Sequence, residues 1–404
     1  MTELTARELL VHLYETAIDA VDGRRLVQQW CREHPAAHFT HCVAIGKAAP
    51  AMLQGALDSC NTIGSALLIT RRGDTPRALK RNSKVLAIES AHPVPDRSSL
   101  DAGDDLLKYL GDIPDQSKLL VLISGGTSSL VEVPEEGITL EQLQQINDYL
   151  LASGKDIQAM NAWRKRFSRI KGGGLLYYVQ HLQCTQLILS DVKGDDLAVI
   201  GSGLLVQSDQ PEHDGDEQLL AVLPKISAQA HDLQSVDTVV IGNNAKALRA
   251  AVAEVEHQGL EACLHETFVC GDAVEQGRRL GDYLRGAERG VHVWGGETTV
   301  QLPDTPGLGG RNQSLALSLA AAIDGVDDLF VLAAGTDGID GNTPCAGAIV
   351  SGRSLQQVRQ MGFDVDRELA RANAGTVLMA TGELFQPGPT STNVMDIVIA
   401  FKRS

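Results

Sequence analysis

Residues 119–129, LLVLISGGTSS, form an apolar run that ends in two glycines and several hydroxyl side chains. An uninterrupted apolar run of this length, bounded by glycine, predicts a strand buried on both faces, as in parallel sheets. Similar short strands are expected at 41–46, 66–70, 84–89 and 186–190, alternating with helical segments. This alternation predicts an α/β protein with a doubly wound parallel sheet.

A second α/β region follows the polar, turn-rich segment 207–217. Further strands are expected at 239–242, 262–268, 291–294, 329–334 and 396–401, and helices from 244, at 272–286 and at 311–322. A length of 404 residues also favours two domains. We therefore predict one domain over residues 1–235 and a smaller α/β domain with a mixed sheet over residues 236–404.

The composition limits the classes of partner. A net charge of −16 argues against nucleic-acid binding. The acidic, amphipathic N-terminus does not resemble a signal peptide, and no apolar stretch is long enough to cross a membrane. Seven scattered cysteines without a CxxC pair indicate reduced thiols and a cytoplasmic protein. Cys263, His265 and Cys270 lie close in sequence, but their spacing is poor for zinc.

Two loops that follow predicted strands are candidate anion sites. Lys47 is expected to begin the helix after the first strand, where it could hold a phosphate or carboxylate; a solvated surface lysine is the alternative. In SGGTSS, the segment from Ser124 to Ser129, backbone N–H groups and hydroxyls could bind phosphate. An ordinary turn is the alternative there, and the GxSxG elbow of a hydrolase is absent. We assign cofactor binding to Ser124, Gly125, Gly126, Thr127 and Ser128.

A basic run, NAWRKRFSRIK at 161–171, precedes three glycines at 172–174. It could clamp a carboxylate or phosphate, or form a solvated helix face. We assign Arg164 to substrate binding and Lys171 to cofactor binding.

Acidic residues at strand ends are candidates for proton transfer or Mg²⁺ binding. Asp191 follows the strand at 186–190 and could accept a hydroxyl proton or hold a metal. Asp337 and Asp340 lie between glycines in GTDGIDG and could hold Mg²⁺ or contact a sugar-like hydroxyl, or stabilise a turn. Glu297 is expected in a turn between strands, and His92 in a rigid Pro-containing loop, where a structural hydrogen bond is favoured.

Arg311 follows the glycine-rich segment GLGG and begins a predicted helix. Its guanidinium could donate two hydrogen bonds to a phosphate or carboxylate. We assign cofactor binding to its neighbours Gly309, Gly310 and Asn312. The chain has no GxxxxGK[ST] motif and no GxGxxG after a strand, which argues against a P-loop enzyme and a dinucleotide-dependent dehydrogenase.

In the order of these motifs, the chain resembles the glycerate 2-kinase family, whose C-terminal part is the MOFRL domain. The resemblance rests on nine ordered segments: GKAAPAM, HPVPD, LISGG, MNAWRKRFSRIKGG, LSDVKGDDLAVIGSG, GGETTV, GLGGRNQSLAL, AAGTDGIDGNT and GPTSTNVMDIVI. It implies two α/β domains, the first Rossmann-like, with the active site in the cleft between them.

The resemblance also implies a reaction, the transfer of the γ-phosphoryl group of ATP to the 2-hydroxyl of D-glycerate, with Mg²⁺. The family's important lysine corresponds to Lys47 and its important arginine to Arg311. With Asp191, these are the expected catalytic residues. Lys47, Arg164, Arg311 and Asp337 are expected to bind substrate, and a monomer or homodimer is expected.

The sequence departs from the family pattern at Thr127, Gly174 and Leu204. These departures leave open a homologue that binds ligand with weakened catalysis. A kinase for a different small hydroxy acid also remains open. The hydroxypyruvate reductase name given to some family members is disfavoured, because the dinucleotide fingerprint is missing.

Overall fold

The computed structural model describes residues 3–153, 155, 157–207, 215–222 and 234–403. The chain divides into two compact units. One runs from Gly23 to Gly242, and the other comprises the residues up to Asp22 and those from Asn243 onward. We call them the parallel-sheet unit and the mixed-sheet unit. Helix α1 (Glu3–Asp19) belongs to the mixed-sheet unit.

In the described part of the parallel-sheet unit, six strands lie in the spatial order β3-β2-β1-β4-β5-β6, and every neighbouring pair is parallel. The strands are β1 (His41–Ile45), β2 (Ser65–Arg71), β3 (Val85–Ser90), β4 (Lys118–Ile123), β5 (Gln183–Leu189) and β6 (Asp237–Gly242). The order reverses between β1 and β4, which confirms the predicted doubly wound sheet.

Helices precede and connect these strands. They are α2 (Gly23–Glu33), α3 (Ala49–Ser59), α4 (Arg77–Lys80), α5 (Arg97–Gly111), α6 (Thr127–Leu130), α7 (Leu140–Ala152), α8 (Ile157–Arg166), α9 (Leu176–Val179) and α10 (Glu217–Val222), with 3₁₀ turns at Lys193–Asp195 and Ile200–Ser202. The apolar run of β4 is buried throughout Leu119–Ile123, as its sequence predicts, and lies in the core of this unit.

The strands described in the mixed-sheet unit are β7 (Ala262–Leu264), β8 (Val269–Asp272), β9 (Gly290–Thr299), β10 (Leu329–Gly335), β11 (Gly347–Ser351), β12 (Leu384–Phe385) and β13 (Asp396–Lys402). Strands β7 and β8 pair with β9 in parallel, whereas β9 to β13 pair in antiparallel fashion in the order β9-β13-β10-β11-β12. The predicted mixed sheet is therefore confirmed. Its helices are α11 (Asn244–His257), α12 (Ala273–Gly286), α13 (Arg311–Ala322), α14 (Ser354–Gln360), α15 (Val365–Ala370) and α16 (Ala374–Ala380).

The two compact units differ from the predicted division at residue 235. Strand β6 belongs to the parallel-sheet unit, because it pairs with β5. Helix α1 belongs to the mixed-sheet unit, where the Tyr14 hydroxyl donates to the backbone oxygen of Gly335 at 2.8 Å. A single strand was predicted at 262–268, whereas the structure has two short strands, β7 and β8, on either side of a loop.

Two further expectations can be compared with the structure. In the part of the chain that the structure describes, no helix is both long and apolar enough to cross a membrane. All seven cysteines are unbridged.

Candidate active site

The loops that follow β1 and β4 meet where the strand order of the parallel sheet reverses. Strands β1 and β4 are parallel neighbours, so their carboxyl ends lie side by side at one edge of the sheet. In open α/β sheets, ligands bind in the crevice at this point. Lys47 lies two residues beyond β1, and Ser124 directly follows β4. The topology therefore brings together two of the sequence-predicted loops, which we call the switch-point loops.

Hydrogen bonds from two backbone N–H groups join the switch-point loops. The Lys47 N–H donates to the oxygen of Gly125 at 2.9 Å, and the Ala48 N–H donates to Ser124 Oγ at 3.1 Å. Lys47 therefore precedes helix α3, which begins at Ala49, and the prediction that Lys47 begins the helix is wrong. Its N–H serves the neighbouring loop, and a proline in the first turn suits a helix that starts later.

The glycines of the second switch-point loop leave donors for an anion. Among the described residues, no hydrogen bond uses the backbone N–H of Gly125, Gly126 or Thr127. Gly126 has φ +86°, and a Cβ atom there would lie 3.0 Å from the His92 ring and 3.4 Å from Lys47 Cγ. Consecutive N–H groups beside a lysine form the kind of concavity that binds phosphate. His92, which the sequence analysis interpreted as structural, thus lies beside this loop.

The hydroxyl groups of this loop serve the fold. Thr127 Oγ1 lies 3.0 Å from the backbone oxygen of Ile45 and 2.7 Å from that of Ser124, so its single O–H proton is shared between these two acceptors, and the Thr127 side chain is buried. The Ser128 and Ser202 hydroxyls are 2.6 Å apart. The hydroxyls of Thr127 and Ser128, predicted to bind a cofactor, are therefore engaged within the fold, and the backbone N–H groups are the donors that remain in this loop.

Protein partners hold the basic run that ends in Lys171. The Lys171 ammonium is buried against the carboxylate of Glu132, with side-chain exposures of 4% and 3%. Arg164 is half-buried and its Nε donates to Asn147 Oδ1 at 3.1 Å; burial lowers the pKa of Arg164. Lys171, predicted to bind a cofactor, is thus engaged in a buried ion pair, and Arg164 has a protein partner rather than a solvated face.

Asp191 lies at the same edge as the switch-point loops. It follows β5, which pairs with β4 in parallel, and its side chain is partly exposed. Because the carboxyl ends of neighbouring parallel strands share an edge, Asp191 and the loop after β4 belong to one neighbourhood.

In the mixed-sheet unit, Arg311 is held by a buried carboxylate. Its Nε and Nη2 donate to the two carboxylate oxygens of Asp396 at 2.7 and 2.9 Å, and its Nη1 lies 3.5 Å from Glu297 Oε1. Burial raises the pKa of Asp396, although Arg311 opposes this effect. Burial acts to lower the pKa of Arg311, but Asp396 and Glu297 outweigh it and raise that pKa.

Strand pairing explains this arrangement. Asp396 begins β13 and lies opposite Gly296 of β9, so Glu297 is close to it. Glu297 is therefore within a strand, and its predicted place in a turn is wrong. Asp396 lies in the segment GPTSTNVMDIVI, but it was not predicted as a site residue. An aspartate directly before the apolar run IVIAF was the available signal.

Asp340 caps helix α13 from within the protein. Its two carboxylate oxygens accept from the N–H groups of Asn312 and Gln313 at 3.1 and 2.8 Å. Burial raises the pKa of Asp340 to about 7, although these N–H groups oppose the shift. A buried carboxylate that satisfies a helix N-terminus is poorly placed to bind Mg²⁺, so the tentative metal role of Asp340 is not supported.

The glycines of the GLGG segment pack next to this cap. Gly310 packs directly against the Asp340 carboxyl, where a Cβ atom would clash, and Gly309 lies against the start of α16. The N-terminus of α13, where we expected Gly309, Gly310 and Asn312 to bind a cofactor, is thus closed by Asp340. These glycines allow close packing around Arg311.

Asp337 lies close to the Arg311–Asp396 pair. A Cβ atom on Gly335 would lie 3.4 Å from Asp337 Oδ1 and 3.5 Å from Asp396 Oδ1, so both carboxylates flank this glycine. Asp337 Oδ1 also accepts from the N–H of Ile339 at 3.2 Å. Of the residues predicted in this half of the chain, the structure thus brings Arg311 and Asp337 together around Asp396.

The chain is similar to known proteins over its full length. The chain matches the "Domain of unknown function (DUF4147)" over residues 9–270 and the "MOFRL family" over residues 290–396. A glycerate 2-kinase from Pyrococcus horikoshii is 34% identical, covering 100% of this chain and 99% of the relative. A protein from Agrobacterium vitis that is 35% identical, covering 88% and 98%, is provisionally named hydroxypyruvate reductase.

A solved structure extends the likeness to the fold. The crystal structure of glycerate kinase from Thermotoga maritima superposes with a TM-score of 0.86 at 30% identity, covering 98% of this chain and 99% of that one. Identity at this level over the full length of both chains shows common membership. The chain therefore belongs to the DUF4147–MOFRL family of kinases, to which the glycerate 2-kinases belong.

Proposed function

We propose that the protein transfers the γ-phosphoryl group of ATP to the 2-hydroxyl of D-glycerate and releases 2-phosphoglycerate. One observation carries the proposal: Lys47 and the N–H groups of Gly125, Gly126 and Thr127 meet at the reversal point of the parallel sheet. The relative named glycerate 2-kinase, which matches over its full length, supports the choice of acceptor and position.

The switch-point loops would hold phosphate oxygens. A lysine and a series of backbone donors can neutralise the charge on a transferring phosphoryl group, where positioning and electrostatics supply most of the catalysis. Because the hydrogen bonds of Lys47 N–H and Ala48 N–H fix the first loop to the second, these donors are arranged before substrate binds.

Arg311 would bind the glycerate carboxylate or a phosphate oxygen. Asp396 and Glu297 fix its guanidinium, and its side chain remains 36% exposed, which leaves N–H groups for a ligand. Asp191, at the edge of the parallel sheet, would accept the proton of the 2-hydroxyl as it attacks.

Mg²⁺ would enter with ATP. In kinases this ion usually keeps several waters and takes one or two carboxylates together with phosphate oxygens, and it neutralises the charge that develops there. Asp337 is the candidate carboxylate in the mixed-sheet unit, since Asp340 is engaged with α13.

Phosphorus NMR of a reaction with ATP, Mg²⁺ and D-glycerate tests the function. We expect a 2-phosphoglycerate resonance, and direct conversion of the product to phosphoenolpyruvate by added enolase without a mutase. A product that requires the mutase would place the phosphate on the 3-hydroxyl. L-Glycerate, glycolate and D-lactate serve as matched acceptors, and a better rate with one of them would make this a kinase for a different hydroxy acid.

Assays on the same protein preparation test two alternative functions. A ligand-binding homologue would show D-glycerate binding by calorimetry but no ADP release. A reductase would oxidise NADH with hydroxypyruvate, but the chain lacks the dinucleotide fingerprint. The cytoplasmic location remains a prediction from the cysteine content, and the monomeric or dimeric state one from the family resemblance.

A further inference from the structure

Three metal-binding side chains converge in the mixed-sheet unit on residues that the proposed reaction does not use. Cys263 Sγ and one nitrogen each from His265 and His292 all lie within 4.8 Å of one another. His265 Nε2 and His292 Nδ1 are 3.1 Å apart. In a tetrahedral zinc site, ligand bonds of about 2.0–2.3 Å place the ligand atoms nearly this close together.

Strand pairing creates the cluster. Cys263 on β7 is directly opposite His292 on β9 in a parallel ladder. His265 lies two residues beyond Cys263, so the alternation of strand side chains places it towards the same face. The sequence prediction disfavoured zinc because the spacing of Cys263, His265 and Cys270 is poor for this metal. In the structure, Cys270 is not part of the cluster. The third ligand lies 27 residues further along the chain from His265.

A backbone contact prepares His292 as a ligand. Its Nε2 lies 2.9 Å from the backbone oxygen of Glu288, and because a carbonyl only accepts, Nε2 must carry the proton. Nδ1 then presents its lone pair to the cluster. Histidines that bind metals characteristically donate the other ring N–H to a carbonyl or carboxylate in this way.

His265 is also held in place. Its ring stacks on Trp294, with centroids 4.1 Å apart and an interplanar angle of 5°, and the edge of Tyr283 packs against it at 5.3 Å. Stacking fixes the ring plane before any metal arrives. Cys263 is exposed, His265 partly buried and His292 buried, so the cluster is open to solvent on one side.

We propose that Cys263, His265 and His292 bind one thiophilic divalent transition metal, with Zn²⁺ as the best match, and that water completes the coordination. Thiolate and imidazole donors select such metals over Mg²⁺. On binding, the Cys263 thiol releases its proton to solvent and His265 adopts its Nδ1–H tautomer. The metal joins the three-residue strand β7 to β9.

The experiment uses the full-length protein after chelator treatment, titrated with Co²⁺ as a spectroscopic probe and then with Zn²⁺. We expect one equivalent of Co²⁺ to give a thiolate-to-cobalt charge-transfer band and tetrahedral visible bands, which Zn²⁺ displaces. We also expect Zn²⁺ to raise the thermal midpoint. Absence of Co²⁺ bands at millimolar metal would overturn the proposal.

Variants locate the site. Cys263→Ser should abolish the charge-transfer band, and His265→Gln should weaken binding by more than about tenfold. Cys270→Ser is the matched control, because Cys270 is an exposed cysteine on the neighbouring strand β8, outside the cluster. It should bind as the unaltered protein does. A band that persists in Cys263→Ser and disappears in Cys270→Ser would contradict the assignment, and circular dichroism would confirm that each variant folds.

Discussion

Both carboxylate oxygens of Asp396 accept hydrogen bonds from Arg311, at 2.7 Å from Nε and 2.9 Å from Nη2. This bidentate contact fixes the direction of the guanidinium. An Asp396→Asn side chain is neutral and accepts at one atom only, so Arg311 would lose its orientation. We expect kcat/KM for D-glycerate to fall by about 10- to 100-fold, since small displacements of positioning groups have effects of that order.

Glu297→Gln is the matched control for Asp396→Asn. Glu297 Oε1 is 3.5 Å from Arg311 Nη1, and its side chain is 46% exposed. Exposed ion pairs contribute little, so we expect kcat/KM to stay within about fivefold of the unaltered enzyme. Equal effects of the two substitutions, measured well below each thermal midpoint, would contradict the positioning role of Asp396.

Lys47→Ala tests the proposed phosphate site. Loss of the ammonium beside Gly126 should lower kcat by about 10²–10³-fold, as for other electrostatic donors. Lys84→Ala is the control, because Lys84 lies directly before β3, at the amino-terminal edge of the parallel sheet, and its Nζ donates to the backbone oxygen of Ile63. Initial rates with D-glycerate measure both. Turnover in Lys47→Ala equal to that of Lys84→Ala would remove Lys47 from the mechanism.

Lys171→Met separates a structural role from the cofactor role that the sequence suggested. It leaves the Glu132 carboxylate buried without its partner, so we expect a loss of about 3–5 kcal/mol in the free energy of unfolding. Adding Glu132→Gln should recover most of this loss, because the double variant buries no charge.

The double variant also decides the functional question. If Lys171 serves only the fold, the Glu132→Gln/Lys171→Met protein should retain a KM for ATP close to that of the unaltered enzyme. Recovery of stability with a large rise in that KM would instead return Lys171 to the nucleotide site. Urea denaturation and initial-rate kinetics give the two measurements.

Some of this arrangement could be predicted from local sequence. The apolar runs of β1 and β4 predicted these two strands. Lys47, Asp191 and the SGG loop were predicted as site residues because they follow strands, and the loops after parallel strands lie at one edge of the sheet. The cap that Asp340 supplies to α13 could not be predicted in this way. It depends on the antiparallel layout of the mixed sheet, which brings residue 340 back to residue 312.

Partners distant in sequence account for the other differences. Lys171 looked like part of a basic surface because its partner, Glu132, lies 39 residues away. The zinc spacing around Cys263 looked poor because His292 joins the cluster through the β7–β9 ladder. In each case the deciding contact follows from tertiary pairing, which a window of neighbouring residues does not contain.

Thr127, one of the departures from the family pattern, contributes hydrogen bonds to the fold. Its hydroxyl donates to the buried backbone oxygens of Ile45 and Ser124. Thr127→Val keeps the shape but removes the donor, so we expect a loss of about 1–3 kcal/mol in the free energy of unfolding. Thr127→Ser keeps the hydroxyl and should lose less. Chemical denaturation of the two variants checks this order, and a less stable Ser variant would contradict it.

The stability of the mixed-sheet unit should depend on pH through Asp340. Its pKa in the folded protein is raised to about 7, above the unfolded value of about 3.9. Between these values the unfolded chain binds fewer protons, so the stability contributed by Asp340 is fully present below about pH 4 and is lost as pH rises through about 7. The limiting slope for one proton is about 1.4 kcal/mol per pH unit.

Asp340→Asn isolates this effect, because the amide does not titrate and can still accept a hydrogen bond from α13. We expect the stability of the unaltered protein relative to Asp340→Asn, measured by urea denaturation from pH 5 to 8, to fall up to about pH 7 and then level off. Groups elsewhere titrate in both proteins and cancel in the difference. A difference that stays flat from pH 5 to 8 would contradict this prediction, because it would show that Asp340 is ionised throughout, with the N–H groups of Asn312 and Gln313 outweighing its burial.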